Sequence, residues 1–294
     1  MEQRASPLET PGMYLAIIAT KSVGRRCAPA SSRVMALTKG GIVMRPTLVL
    51  IPGWLCDSVV WAEQVRALEP FAHSVIADHG HRDSLEAMAT AVLAMDLPER
   101  FSVAGHSMGG RVALEIVRQA PERVDRLALL DTGFQARPSD ESGERERSLR
   151  MTLLQLARRS GMRQMGVEWS RLMIGDNASP ALKEAVLDMV ERRSVEQCEA
   201  QVRALLNRPD ATSLLRSIKC PLLLACGRED HWSPLACHEE MRDLVKGSRL
   251  EIIEGSGHMT TMERPEAVSS ILREWLQWSN HSGVAPEDSE RGAP

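Results

Sequence analysis

The sequence of 294 residues contains few aromatic side chains, which make up 3% of it, and no long apolar run. So few aromatic residues argue against a surface that stacks nucleic-acid bases or a groove that binds sugars. The net charge is −3, with both signs spread along the chain, which predicts neither a nucleic-acid partner nor attachment to a membrane. Because no apolar stretch approaches the ~20 residues that cross a bilayer, we expect no transmembrane helix.

The six cysteines are scattered, with no CxxC pair and no cysteine–histidine cluster at metal-ligand spacing. We therefore predict no metal site and no disulfide framework, but free thiols in a reducing compartment. An apolar stretch at 13–19 precedes an Ala-Pro-Ala sequence that resembles a signal-peptide cleavage site. Lys21, Arg25 and Arg26 lie between them, where an export signal carries few charges. We expect a cytoplasmic protein, and the sequence leaves open whether it is a monomer or a homodimer.

Short apolar runs alternate with helical periodicity from residue 45 onward. This alternation is typical of an α/β fold, in which a mostly parallel central sheet is flanked by helices. The sequence predicts strands at 47–51, 74–77, 101–104, 127–130, 222–226 and 250–253. Between the fourth and fifth of these strands, the pattern becomes helical only, which predicts an all-helical insertion over one end of the sheet.

The predicted domain organisation follows from these changes of pattern. The α/β core comprises 45–134 and 217–279, and the helical insertion, which we call the cap, comprises 135–216. Residues 1–44 show no periodic pattern, and residues 280–294 are polar with glycine and proline. We predict that both terminal segments are disordered.

The strand at 101–104 runs directly into the sequence Gly105-His-Ser-Met-Gly109, a G-x-S-x-G motif, and then into a helical run. A strand-to-helix turn as sharp as this strains the backbone of the serine, and side chains two residues away on either side would collide. The strain lifts the hydroxyl above the sheet, where the helix directs its first amides. We identify Ser107 as a candidate nucleophile. His106 is predicted to be structural, because a neighbour on a tight turn points elsewhere.

Two later strands end in turns that carry a carboxylate and a histidine. Asp230 follows the strand at 222–226, and His258 follows the strand at 250–253. Because the carboxyl ends of parallel strands lie at the same edge of a sheet, these two residues are expected near Ser107. A nucleophilic serine needs a general base, and that base needs an acid to orient it. We predict His258 as general base and Asp230 as the acid, in the chain order Ser, Asp, His. Asp131, after the strand at 127–130, is an alternative acid or else a turn former.

Two backbone amides are candidates for an oxyanion hole. The first predicted strand leads into Pro52-Gly53-Trp54, and the N–H of Trp54 is predicted to act with that of Met108. The side chain of Trp54 could also form a wall of the pocket.

The segments Pro52-Gly53-Trp54, Gly105-His-Ser-Met-Gly109-Gly110, Gly227-Arg-Glu-Asp230 and Gly255-Ser-Gly-His258 together resemble the α/β-hydrolase superfamily, over about 45–278. The resemblance is closest to small bacterial members with a four-helix cap, among them carboxylesterases and C–C bond hydrolases. It implies a Ser-His-Asp mechanism without a cofactor, and a substrate pocket between cap and sheet. The usual antiparallel strand pair ahead of the first parallel strand is not recognisable, so the sheet is expected to be one or two strands short. The first loop also has Pro52-Gly53 where many members have His-Gly.

The function that these features favour is a carboxylesterase whose partner is a small or medium apolar ester. Leucine, methionine and valine side chains of the cap are predicted to line the acyl pocket, with the cap arginines facing solvent. A lactonase, a thioesterase and a C–C bond hydrolase remain alternatives on the same triad. A non-catalytic binding protein on a hydrolase fold is a further alternative, which a complete triad disfavours.

Overall fold

A computed structural model describes residues 35–38, 41–175 and 178–278. Within these ranges the chain forms eight strands and ten α-helices. The strands are β1 (Met35–Thr38), β2 (Gly41–Met44), β3 (Thr47–Ile51), β4 (His73–Ile76), β5 (Phe101–His106), β6 (Val124–Leu130), β7 (Leu222–Gly227) and β8 (Arg249–Ile253). The helices are α1 (Ala62–Leu68), α2 (Leu85–Leu93), α3 (Met108–Gln119), α4 (Glu141–Met173), α5 (Pro180–Glu191), α6 (Val195–Leu206), α7 (Thr212–Ser217), α8 (Leu235–Leu244), α9 (Thr260–Glu263) and α10 (Pro265–Leu276).

Strands β3 to β8 form one six-stranded sheet in the order β4-β3-β5-β6-β7-β8, and every neighbouring pair is parallel. The two strands that bear on the site most directly, β5 and β7, are buried along their whole length. Burial on both faces explains why these strands are continuous apolar runs rather than alternating ones. All six strands predicted for the sheet are present, with ends within three residues of the predicted ones. The predicted fold class, a mostly parallel sheet flanked by helices with a helical cap, is confirmed.

Helices α4 to α7 lie between β6 and β7 and form the cap. Helix α4 is broken at Gly161, where φ is 84° and ψ is 165°, so it consists of two arms. The arms pack on α5 and α6, and the cap has apolar side chains of its own that are fully buried, among them Met165, Val186 and Met189. The second arm ends at Met173, beside the edge of the sheet at which the parallel strands end.

Strands β1 and β2 form a separate antiparallel hairpin that pairs Met35 with Met44. The sequence predicted disorder for the whole of 1–44, so the structure corrects that prediction for 35–38 and 41–44. Each strand has only four residues, the lower limit at which alternation can be recognised. An antiparallel pair therefore does precede the first parallel strand, although in the described part of the chain its strands pair only with each other. The rest of the predicted disordered tails, 1–34, 39–40 and 280–294, lies outside the described residues.

Starting translation at Met44 removes the hairpin and everything before it. Because all six strands of the parallel sheet lie within 47–253, we expect the truncated protein to fold with its free energy of unfolding changed by less than about 1 kcal/mol, or roughly 2–4 °C in melting temperature. Thermal unfolding followed by circular dichroism compares it with the full chain. A larger loss, or insoluble protein, would show that the preceding residues complete the core.

Candidate active site

Ser107 joins β5 to α3 in a strained backbone conformation, with φ 55° and ψ −119°. The glycines on either side are required by close approach. A Cβ on Gly105 would lie 2.3 Å from the carbonyl oxygen of Gly109, and a Cβ on Gly109 would lie 2.1 Å from that of Ile51. The turn is therefore as sharp as the motif predicted, and it presents the serine hydroxyl at the sheet edge.

The structure brings together the three side chains that the sequence singled out. The distance from Ser107 Oγ to His258 Nε2 is 2.8 Å, and that from His258 Nδ1 to Asp230 Oδ2 is also 2.8 Å. The other carboxylate oxygen of Asp230 accepts hydrogen bonds from the amides of Trp232 and Ser233, at 2.8 Å each. Since a carboxylate only accepts, Nδ1 carries the proton, and Nε2 is left with a lone pair for the serine hydroxyl.

Asp131 is a second buried carboxyl near this line, but it contacts different groups. It accepts a hydrogen bond from the amide of Gly227 at 3.0 Å and another from the hydroxyl of Thr260. Burial, and then the charge of Asp230, raise the pKa of Asp131 well above its ordinary value. Burial also acts to raise the pKa of Asp230, but His258 and two backbone amides outweigh it, so that pKa lies below its ordinary value. Asp230 is therefore the ionised partner of the histidine.

His106 is fully buried and has no hydrogen bond to the hydroxyl of Ser107 among the described residues. Its Nε2 donates to the carbonyl oxygen of His258 at 2.8 Å. Burial, and then the neighbouring His258, lower the pKa of His106 to about 3, so the ring is neutral over the range in which most enzymes work. This ring supports the backbone of His258, in agreement with the structural role predicted for it.

The amides of Trp54 and Met108 lie at the cavity that contains Ser107. Met108 is the first residue of α3, so its N–H has no carbonyl one turn earlier to bond. Among the hydrogen bonds of the described residues, neither of the two amides has a partner. Both are therefore free to donate to an oxygen bound beside the serine.

Two contacts that the sequence did not predict connect the cap to the loops of the site. The amide of Leu55, next to Trp54, donates to Oε1 of the buried Gln201 on α6 at 3.0 Å. The amide of His258 donates to the carbonyl oxygen of Met173, at the end of α4, at 2.9 Å. The sequence signal that could have indicated the contact with Leu55 is a polar residue, Gln201, on an otherwise apolar helix face.

Glu263 is a further residue that the sequence analysis missed. Its carboxylate accepts hydrogen bonds from the amides on both sides of the histidine, Gly257 at 3.1 Å and Met259 at 3.0 Å. It also accepts one from the amide of Gly175, just after α4, at 2.9 Å. One carboxylate thus holds the His258 loop and the end of the cap helix in a fixed relation. Nothing in the spacing of a glutamate five residues after a histidine indicates this role.

A cavity of about 590 Å³ lies between the cap and the sheet edge, with Ser107 and His258 in its lining. Apolar side chains contribute to it, but so do four arginines and one glutamate, namely Arg111, Arg145, Arg150, Arg208 and Glu146. Arg150 and Arg208 are only 3% and 9% exposed, so the prediction that the cap arginines face solvent is wrong for these two. Arg150 shares a helix face with Leu154 and Ala157, one and two turns on, so it points inward with them.

The guanidinium of Arg150 lies between two indole rings. Its central carbon is 5.1 Å from the ring centroid of Trp54 and 4.9 Å from that of Trp232. Trp54 in turn meets Trp169 of α4 edge to face, with 6.3 Å between centroids. The side chain of Trp54 therefore does form a wall of the pocket, and cation–π and aromatic contacts attach it to the cap.

Within the described ranges, no group of three or more histidine, cysteine, aspartate or glutamate side chains is placed to hold a metal ion. The five cysteines described there are free thiols. No helix in the same part of the chain is both long enough and apolar enough to cross a membrane.

Comparison with known proteins identifies the family. Residues 48–271 match the model described as the alpha/beta hydrolase family. The chain is 31% identical over 240 residues to the pimeloyl-[acyl-carrier protein] methyl ester esterase of Nitrosomonas europaea, covering 77% of this chain and 94% of that protein.

Two solved structures are similar in fold. A thermophilic esterase from Thermogutta terrifontis matches with a TM-score of 0.68 and 25% identity, covering 83% of this chain and 98% of the other. The enol-lactonase from Burkholderia xenovorans matches with a TM-score of 0.72 at 20% identity, covering 83% and 95%. At that identity the second likeness concerns the fold alone. With its parallel sheet, its serine turn and these relatives, the chain is an esterase-like hydrolase that belongs to the alpha/beta hydrolase family.

Proposed function

We propose that this protein hydrolyses a carboxylic ester of small or medium size by way of an acyl-enzyme on Ser107. The observation that carries the proposal is the line of hydrogen bonds from Asp230 through His258 to Ser107. This line ends in a cavity beside two amides that have no hydrogen-bond partner among the described residues. A binding protein has no need of a serine held in a strained turn against a correctly protonated imidazole.

In the first half of the reaction, Ser107 Oγ attacks the ester carbonyl carbon while His258 Nε2 takes the hydroxyl proton. The carbonyl oxygen becomes an oxyanion, which accepts hydrogen bonds from the amides of Trp54 and Met108. Asp230 accepts from Nδ1 and stabilises the imidazolium that forms. The bond to the leaving alkoxide oxygen then breaks, and His258 Nε2 gives its proton to that oxygen, so the alcohol departs.

In the second half, a water molecule attacks the acyl-enzyme carbonyl and His258 Nε2 takes a proton from it. The same two amides hold the second oxyanion. When it collapses, the bond to Ser107 Oγ breaks, the proton returns to the serine, and the carboxylic acid is released. The relative from Nitrosomonas europaea is named as a methyl ester esterase, which supports the choice of an ester over the other bonds that such a triad cleaves.

A C–C bond hydrolase is a second candidate, and the arginines of the cavity favour it. Breaking a carbon–carbon bond leaves a carbanion-like group, which cationic side chains stabilise better than an apolar wall does. The two candidates differ in substrate and not in nucleophile. A panel of simple esters, thioesters, lactones and a vinylogous diketone separates them, because an esterase turns over the simple esters and a C–C hydrolase prefers the diketone.

Ser107→Ala and His258→Ala test the triad. Each is expected to reduce ester turnover on the order of 10⁶-fold, and the double variant little more, since the two residues act as a unit. Steady-state kinetics measures the turnover, and labelling with a fluorophosphonate probe reports the activated serine. Wild-type protein should be labelled and both variants should not. Additive losses, or an active Ser107→Ala protein, would contradict the assignment.

Asp230→Asn and Asp131→Asn form a matched pair that separates the two buried carboxyls. Asp230→Asn is expected to lower turnover about 10⁴-fold, because an amide leaves the imidazole in the wrong tautomer. Asp131→Asn should lower the melting temperature more than Asp230→Asn does and turnover much less, since it perturbs the hydrogen bonds to Gly227 and Thr260. Kinetics and thermal unfolding are measured on both variants. If the two effects come out reversed, Asp131 is the acid of the triad.

Glu263→Gln tests the carboxylate that holds the His258 loop. We expect kcat to fall roughly 10-fold with little change in KM, because a neutral amide binds three backbone N–H groups more weakly than a carboxylate does. Glu266→Gln, three residues on and exposed, is the control and should behave as wild type. Equal behaviour of the two variants would show that Glu263 has no positioning role.

A further inference from the structure

Arg111 lies one helical turn after the nucleophile and lines the same cavity. Its backbone amide donates to the carbonyl oxygen of Ser107, and its Nη1 donates to that of Gln135 at 2.9 Å. Its Nη2 lies against Gly133, where a Cβ would come within 2.6 Å. In the described part of the chain, no carboxylate forms an ion pair with this guanidinium, although three other arginines of the cavity have such partners.

The charges around Arg111 do not balance. Glu146 receives Arg208 through two parallel hydrogen bonds of 2.8 and 2.7 Å, and Arg150 through one of 2.9 Å. Arg208 also donates through Nε, at 3.3 Å, to the carbonyl oxygen of Gln135 that Arg111 uses. Arg150 and Arg208 thus share one carboxylate, and the neighbouring Arg111 has no bond to it. Within this group of four side chains, the formal excess is two positive charges. Moreover, Nη1 of Arg150 is buried and has no hydrogen-bond partner in the part of the chain that the structure describes.

Such an arrangement is unfavourable in the free protein and favourable once an anion is present. Burial, and then the charge of Arg208, lower the pKa of Arg111 to about 9, which reflects the poor compensation of its charge. A planar guanidinium matches a carboxylate with two parallel hydrogen bonds, and in a partly enclosed cavity these bonds are stronger than in water. A bound carboxylate would therefore supply negative charge that balances the excess positive charge of the arginines.

We propose that Arg111, with Arg208 beside it, binds a free carboxylate of the substrate, so that the enzyme prefers half-esters of dicarboxylic acids over neutral esters. Ser107 and Arg111 line the same cavity, so one bound half-ester would present its ester carbonyl to the first and its free carboxylate to the second. The inference rests on the proposed function, because it needs the ester at Ser107. It replaces the purely apolar substrate expected from the sequence with an acidic one.

Two substrates with the same acyl chain test the proposal. They are the mono-4-nitrophenyl ester of glutaric acid and the same compound with its free carboxyl converted to a methyl ester. Both release 4-nitrophenol, and they differ in charge and by one methyl group. The rate without enzyme is subtracted for each, because the free carboxylate attacks its own aryl ester. Wild-type protein should show a kcat/KM at least about 10-fold higher for the charged compound, and Arg111→Gln should lower this preference about 10- to 100-fold. Arg111→Lys, which keeps the charge without the fork, should retain part of it.

Arg118→Gln is the matched control. Arg118 is on the same helix, but its guanidinium pairs with Glu115 and does not line the cavity, so this variant should keep the wild-type preference. Circular dichroism establishes that each variant is folded. If Arg111→Gln does not fold, Arg111→Lys carries the comparison. The proposal would be overturned if wild-type protein had the same kcat/KM for both esters, or if the Arg111 variants kept the wild-type preference. Either result would leave the proposed ester hydrolysis intact.

A binding measurement separates this proposal from the proposed function. Glutarate is titrated calorimetrically into the Ser107→Ala variant and into the double variant that also carries Arg111→Gln. The dissociation constant should be at least about 10-fold higher for the double variant. If wild-type protein hydrolyses neither ester but glutarate binding still depends on Arg111, the ester reaction is wrong and the carboxylate site is supported. Glutarate binding that is indifferent to Arg111 would overturn the site whatever the reaction.

Discussion

The backbone of Ser107 is held in a conformation that side-chain-bearing residues seldom adopt, and the rest of the site is arranged around it. Gly105 packs against Gly109, and Gly109 packs against the end of β3, so the turn has no room to relax. A strained residue of this kind costs on the order of 1–3 kcal/mol and persists only where the surroundings determine it. Here the buried strand β5 and the helix α3 supply those surroundings on either side of one residue.

The cap takes part in the site and does more than cover it. The end of α4 fixes the backbone of His258, and α6 fixes the amide next to Trp54. Glu263 joins the histidine loop to Gly175, two residues after α4. A movement of the cap would therefore shift both the base and one of the two amides proposed for the oxyanion hole. Hydrogen bonds thus connect the cap directly to the loops that carry the proposed catalytic groups.

The fold accounts for the position of the proposed nucleophile but does not indicate the substrate, because one fold serves many reactions. The lining of the cavity is more informative. Two of its arginines, Arg150 and Arg208, face inward and are bonded to the single carboxylate of Glu146, and Arg150 also lies over two tryptophan rings. Holding charged groups at this depth is unfavourable unless something compensates them, so their presence favours an acidic ligand over a wholly apolar one.

The sequence by itself determined the parallel sheet, the helical cap and the candidates Ser107, Asp230 and His258. These follow from local rules: apolar runs form buried strands, glycines two residues from a serine permit one kind of turn, and parallel strands end at a common edge. It also favoured Asp230 over Asp131, and the structure gives the reason, since only Asp230 contacts the imidazole.

Only the tertiary structure decided which groups surround these residues. The hairpin β1–β2 was missed because four-residue strands carry too little periodicity. The roles of Gln201, Glu263 and Arg208 were missed because each has a partner distant in the chain: Leu55, Gly175 and Glu146, which are 146, 88 and 62 positions away. Periodicity tells which residues share a helix face, but whether a charged residue on that face meets solvent, a carboxylate or an enclosed cavity depends on what packs against it.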